Sequence, residues 1–279
     1  MPTKLNRPYL KLTIIVIVWY VALAFLPQLA GTCMDGECGF TTGEIIVSFT
    51  IPLTVIALPV LLEMYLYKKN ISQALSDIGV SRFSWRGIRM VALCLLPLVL
   101  FFPLFALLTG TPLEPRPNWQ WLIINVVLVN GLAEELMMRG FVFRHLREGR
   151  SFWRAAALST AYFAAYHIVL IFTAGPLIGI IAVIIAVPAG LLTAYIYEQG
   201  NNTIWGSAVF HTVYNAPALL LVLPLEIQPI ANSLYLVIGI AVSTLVVVRA
   251  YRGKYAGGDS GAHRANMIEA PNLSHELGR

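Results

Sequence analysis

The 279-residue chain is 58% hydrophobic and only 12% charged, with a mean hydropathy of +0.73. Soluble domains carry about 25% charged residues, so the composition excludes an ordinary soluble fold and indicates an all-α, polytopic membrane protein. The formal net charge of +5 is spread over short loops and the tail rather than one basic aromatic face, which argues against nucleic acid as a partner.

In chain order, about eight apolar stretches read as transmembrane helices. They cover approximately residues 12–30, 45–67, 90–109, 119–143, 154–173, 177–197, 205–223 and 231–250, each near the ~20 residues a bilayer requires. The first is too long for a signal-peptide core and lacks a small-residue cleavage site, so it reads as a retained helix. Lysine and arginine alternate between the connecting loops: Lys4, Arg7 and Lys11, then Lys68 to Arg89, then Arg144 to Arg154, then Arg249 to Lys254. By the positive-inside rule the N- and C-termini are cytoplasmic, in the cell (plasma or inner) membrane. Cys33 and Cys38 then share an outward-facing polar loop and form a candidate disulfide, while Cys94 falls in an apolar helix as packing. Glu63, near the cytoplasmic end of the second stretch, is expected to snorkel to the interface or to pair with Lys68. The Lys68–Arg89 loop has an amphipathic pattern suited to the membrane surface, and His145 reads as a solvated interface residue. From residue 253 the chain turns polar, giving a transmembrane domain over 1–252, a motif-bearing core over 119–222 and a disordered cytoplasmic tail over 253–279.

The fourth stretch carries Glu134, Glu135 and Arg139 among apolar residues. Each ionised side chain at the bilayer centre costs roughly 2.5–3.5 kcal/mol, and groups tolerated there are by default functional. Helical spacing puts Glu135 and Arg139 on one face as an ion pair. Glu134 is turned about 100° away and left less neutralised, with Asn130 four residues earlier as a hydrogen-bond partner. Two more apolar stretches carry Phe163 with His167 and His211 with Asn215, each pair four residues apart. A glutamate and a histidine can activate a water, and a histidine with an asparagine can hold an oxyanion. Other readings of the same residues are a structural ion-pair network, a proton-coupled transporter, and a catalytically idle scaffold or immunity protein. One glutamate and two histidines also suit a zinc site with an open position, although no His-Glu-x-x-His is present. Ser207, four residues before His211, is the one rival nucleophile.

Glu-Glu-x-x-x-Arg at 134–139, Phe-x-x-x-His at 163–167 and His-x-x-x-Asn at 211–215 resemble the three motifs of the CAAX-protease and bacteriocin-processing (CPBP, or Abi) family, which includes the Rce1-type prenyl-protein endopeptidases. The resemblance covers about residues 119–222. It implies an intramembrane endopeptidase of the glutamic type without a cofactor or metal. In it Glu134 and His167 would activate the water, His211 and Asn215 would form the oxyanion site, and Glu135, Arg139 and Phe163 would give structural support. The implied partners are the lipid bilayer and a membrane-associated protein or peptide substrate, either a prenylated CaaX protein or one bearing a leader or sorting tag.

Overall fold

A computed structural model describes residues 11–21, 42–173 and 175–255. Cys33, Cys38 and the tail beyond residue 255 lie outside the described residues. The helices are α1 (Lys11–Val21), α2 (Thr42–Leu66), α3 (Ile71–Asp77), α4 (Trp85–Thr109), α5 (Trp119–Arg147), α6 (Phe152–Thr173), α7 (Pro176–Gln199), α8 (Ile204–Leu220) and α9 (Gln228–Ala250). All eight apolar stretches are helical where they are described, and α3 is the short amphipathic segment between two of them. Five helices, α4, α5, α6, α7 and α9, are long and apolar enough to cross a membrane. The chain is thus an all-α, multi-pass integral membrane protein. Prolines inside α2, α4, α7 and α8 are compatible with this, because neighbouring helices re-satisfy the backbone groups they free.

The distribution of side chains is that of a protein solvated by lipid. Leu93, Leu107, Leu108 and Phe172 are each more than three-quarters exposed, whereas Glu63, Glu134, Glu135 and Arg139 are buried among the helices. Two strands of two residues, β1 (Glu114–Pro115) and β2 (Leu221–Val222), pair antiparallel, and the Arg116 amide donates to the Leu220 carbonyl at 2.7 Å. This tie fixes the start of α5 against the end of α8. At the other end of α8, the Ile204 amide donates to the Gly79 carbonyl at 3.2 Å, and Trp205 Nε1 donates to the Val80 carbonyl at 3.0 Å.

The α3 segment is therefore anchored in protein on one side. Its N-terminus is closed by a capping box between Asn70 and Gln73. Ala74 and Ile78 are fully buried, and a Cβ at Gly140 of α5 would sit 2.7 Å from the Ile78 carbonyl oxygen. Ile71, Phe83 and Trp85 face outward.

Two sequence expectations at this end of the bundle are corrected. Glu63 does not pair with Lys68. The backbone at Lys68 is left-handed (φ 56°), which ends α2 and leaves its ammonium over the Tyr65 ring at 5.0 Å. Glu63 instead receives Lys69 Nζ, Arg144 Nη2 and His145 Nε2, each at 2.8 Å. His145 is not solvated: it is stacked on Tyr67 with ring centroids 4.2 Å apart. One buried carboxylate thus joins α2, the chain entering α3, and the end of α5. Glu63→Ala would leave Arg144 without its carboxylate partner among the described residues, while Lys69 keeps Asp77 at 2.5 Å and His145 keeps Glu148 at 3.5 Å, and we expect a loss of about 3 kcal/mol. The measurement is the thermal unfolding midpoint of the purified protein in detergent, which should fall well below that of the wild type.

Candidate active site

The middle of α5 is not an α-helix. Val126–Ala133 and Leu136–Phe143 are two π-helical stretches, and the two glutamates occupy the joint between them. The Glu134 amide donates to the Val129 carbonyl, five residues back. Among the described residues no hydrogen bond joins Asn130 to Glu134, whose Oε2 has no partner. The expected Asn130 contact is therefore absent there. π-Helical turns inside α-helices are frequent at functional sites because they re-aim side chains.

Glu135 and Arg139 do pair, with Oε1 3.0 Å from Nη1. The same Glu135 oxygen accepts the Nδ1 proton of His211 at 2.8 Å, so Glu135 touches the third motif as well as its own helix. The other nitrogen of His211, Nε2, lies 3.8 Å from Glu134 Oε2, which has no hydrogen-bond partner among the described residues. His211 thus stands between the two glutamates. With its Nδ1 proton given to Glu135, a neutral His211 would turn a lone pair toward the Glu134 carboxylate, and the two would repel. Attraction requires one proton between them, as a carboxylic acid at Glu134 or an imidazolium at His211. With that proton, two glutamates, one arginine and one histidine are neutral overall, the charge state that a water-poor interior favours.

Phe163 organises the remaining groups. Its ring lies under the Arg139 guanidinium at 4.8 Å and meets the rings of His167 and His211 edge to face, at 4.7 and 5.6 Å. Its backbone carbonyl accepts the Nδ1 proton of His167 at 2.8 Å. That bond fixes the neutral tautomer of His167 with the Nε2 lone pair available. Glu134, Glu135, Arg139, Phe163, His167 and His211 are thus brought together by α5, α6 and α8. Asn215 lies one turn beyond His211, half-buried, and makes no side-chain hydrogen bond among the described residues.

Ser207 makes no hydrogen bond to His211 among the described residues. Its hydroxyl donates to the Ile204 carbonyl at 2.9 Å, and both imidazole nitrogens of His211 face glutamates. Among the described residues no group of three or more His, Cys, Asp or Glu side chains is placed to hold a metal ion. Composition and spacing did not reveal Thr193 and the Gly190 carbonyl on α7, both of which accept from Arg139 Nη2. Nor did they reveal Tyr20 on α1, whose hydroxyl donates to Met138 Sδ at 3.3 Å and whose ring stacks on Tyr166 at 4.0 Å.

Residues 116–217 match the family described as type II CAAX prenyl endopeptidase Rce1-like. The chain carries an Rce1-like domain. That family is a family of proteases, so the chain is a multi-pass membrane protein with a protease-family domain. No curated protein matches the chain. The Rce1-like segment begins just before α5 and ends on α8 beyond Asn215, and so contains all three motifs; α1 to α4 and α9 lie outside it.

Within the Rce1-like domain, Gly131 sets how closely α5 and α8 approach. A Cβ there would overlap Thr212 Oγ1 and sit 3.3 Å from the Ala208 carbonyl, on either side of His211 in sequence. Small residues permit such close helix contacts in membranes. Gly131→Ala is expected to displace His211 from the glutamates and lower turnover. Adding Thr212→Ala removes the overlapping hydroxyl and should recover most of the activity. A double variant no better than the single one would show that the separation of α5 from α8 is not the cause.

Proposed function

We propose that the protein is an intramembrane endopeptidase that hydrolyses a peptide bond in a membrane-associated protein or peptide, using water activated by Glu134 and His167. The observation that carries this reading is the unpartnered Glu134 Oε2 beside His211 Nε2, inside a buried cluster neutralised by Arg139. In the reactive state His211 holds the shared proton and Glu134 is a carboxylate. Glu134 takes a proton from the water while the water oxygen attacks the substrate carbonyl carbon, and His167 Nε2 accepts a hydrogen bond from the same water. The oxyanion is held by His211 Nε2–H, whose positive charge Glu135 stabilises, and by the amide of Asn215. Glu134 then delivers the proton to the leaving amine as the carbon–nitrogen bond breaks. No covalent intermediate and no dissociable metal take part.

The substrate class we assign is a protein or peptide held at the membrane, prenylated at a CaaX terminus or carrying a leader or sorting tag. We place both termini in the cytoplasm and the protein in the plasma or inner membrane, with Cys33 and Cys38 outside and paired. The test is cleavage by purified protein in lipid vesicles of a quenched fluorescent CaaX peptide, compared with and without a farnesyl group, and of an unprenylated leader peptide. Cleavage should survive exhaustive chelation and serine reagents, and Ser207→Ala should turn over at the wild-type rate. Activity restored only by added zinc would replace the water-activating glutamate with a metal. Loss of turnover in a folded Ser207→Ala protein would point to a serine nucleophile. Proton flux across the vesicle membrane with every reporter intact would favour a proton relay.

A further inference from the structure

None of the three motifs lies on α7, yet α7 holds the far end of the charged cluster. Arg139 Nη2 meets Thr193 Oγ1 and, at 3.3 Å, the Gly190 carbonyl. Thr193 is buried, and its own hydroxyl donates to the Ala189 carbonyl at 2.9 Å. With the hydroxyl proton spent inside the helix, the oxygen turns a lone pair to the guanidinium, which can only donate. From there contacts run on from Arg139 to Glu135 at 3.0 Å and from Glu135 to His211 at 2.8 Å, and the free face of His211 lies 3.8 Å from Glu134.

We propose that Thr193 is a positioning residue that, through Arg139 and Glu135, sets the orientation of His211. A guanidinium has five donors in a fixed plane, so an acceptor on one edge decides which edge is left for Glu135. Without the Thr193 acceptor, Arg139 turns toward the Gly190 carbonyl and its hold on Glu135 Oε1 loosens. That oxygen is also the acceptor for His211 Nδ1–H, so the imidazole then tilts. The effect on hydrolysis rests on the function proposed above, whereas the effect on His211 does not.

The two substitutions that decide the matter are complementary. Thr193→Val keeps the shape and removes the hydroxyl, while Thr193→Ser keeps the hydroxyl and removes a methyl. Each would be prepared in lipid nanodiscs with 15N-labelled histidine, the His211 signals being assigned by their loss in His211→Gln. In Thr193→Val, the His211 15N shifts should move. The kcat for the quenched CaaX reporter should fall about tenfold, the rate equivalent of one hydrogen bond to a charged group, with KM little changed. Thr193→Ser should return both to near wild type. Wild-type His211 signals in Thr193→Val would overturn the proposal, and so would equal impairment in the serine and valine variants, since packing alone would then explain the loss. If the wild type cleaves no reporter, the proposed function fails while the His211 signals still decide the role of Thr193.

Discussion

Glu134→Gln should reduce peptide-bond hydrolysis by at least about 10³-fold while leaving the protein folded, membrane-inserted and as heat-stable as the wild type. The loss follows because an amide can neither take a proton from water nor return one to a leaving amine, and general acid–base catalysis contributes about 10²–10⁴-fold. Preserved stability follows from the charge of the cluster. Glutamine has the volume of glutamate and can offer an N–H to His211 Nε2, so His211 becomes neutral and needs no shared proton. Glu135 and Arg139, 3.0 Å apart, still cancel. Most buried-charge substitutions damage fold and function together; this one separates them. The measurement pairs reporter cleavage with thermal unfolding of the same preparation. A Glu134→Gln protein that cleaves at more than a tenth of the wild-type rate would remove Glu134 from the chemistry.

The buried charged cluster was legible in the sequence because charge in an apolar stretch has few explanations. Glu134, Glu135 and Arg139 were conspicuous for their cost in a bilayer, and the spacing of Glu135 and Arg139 anticipated the ion pair that the structure shows. The five helices long and apolar enough to cross a membrane were legible for the same reason, since length and hydropathy carry most of the information in a membrane chain. What failed depended on local geometry that residue types do not encode. The π-helical turns of α5 were not visible, because a shift from four-residue to five-residue hydrogen bonds leaves no compositional mark. Glu63 was given its sequence neighbour Lys68, whereas Arg144 and His145 reach it from another helix, at a sequence separation of about eighty residues. Thr193 was hidden by its type. A threonine within an apolar helix commonly bonds its own backbone, as this one does, and nothing in the sequence distinguishes one that also accepts from an arginine.

Glu135 differs from Glu134 in being bonded on two sides, so its substitutions should fail differently. Glu135→Ala removes the one carboxylate that pairs with Arg139 among the described residues and leaves a buried guanidinium with the Thr193 hydroxyl, the Gly190 carbonyl and the Phe163 ring but no counter-charge bonded to it. An uncompensated buried charge costs about 3–5 kcal/mol, so the variant should accumulate poorly and unfold at a markedly lower temperature. Activity should be lost as well, because His211 Nδ1 loses its acceptor. The two losses can be parted by removing the partner too. In Glu135→Ala/Arg139→Met no charge is stranded, and methionine fills the space over Phe163 with favourable sulfur–aromatic contact. Replacing both members of a buried pair by apolar groups is often neutral for stability. The double variant should therefore regain most of the wild-type unfolding temperature and remain inactive, because nothing restores the bond that orients His211. Recovery of stability and activity together would reduce Glu135 to a counter-ion for Arg139. Recovery of neither would mean that the cluster holds α5, α7 and α8 together in a way that apolar packing cannot replace. Stability regained without activity is the outcome expected of a glutamate that both neutralises Arg139 and holds the imidazole against Glu134.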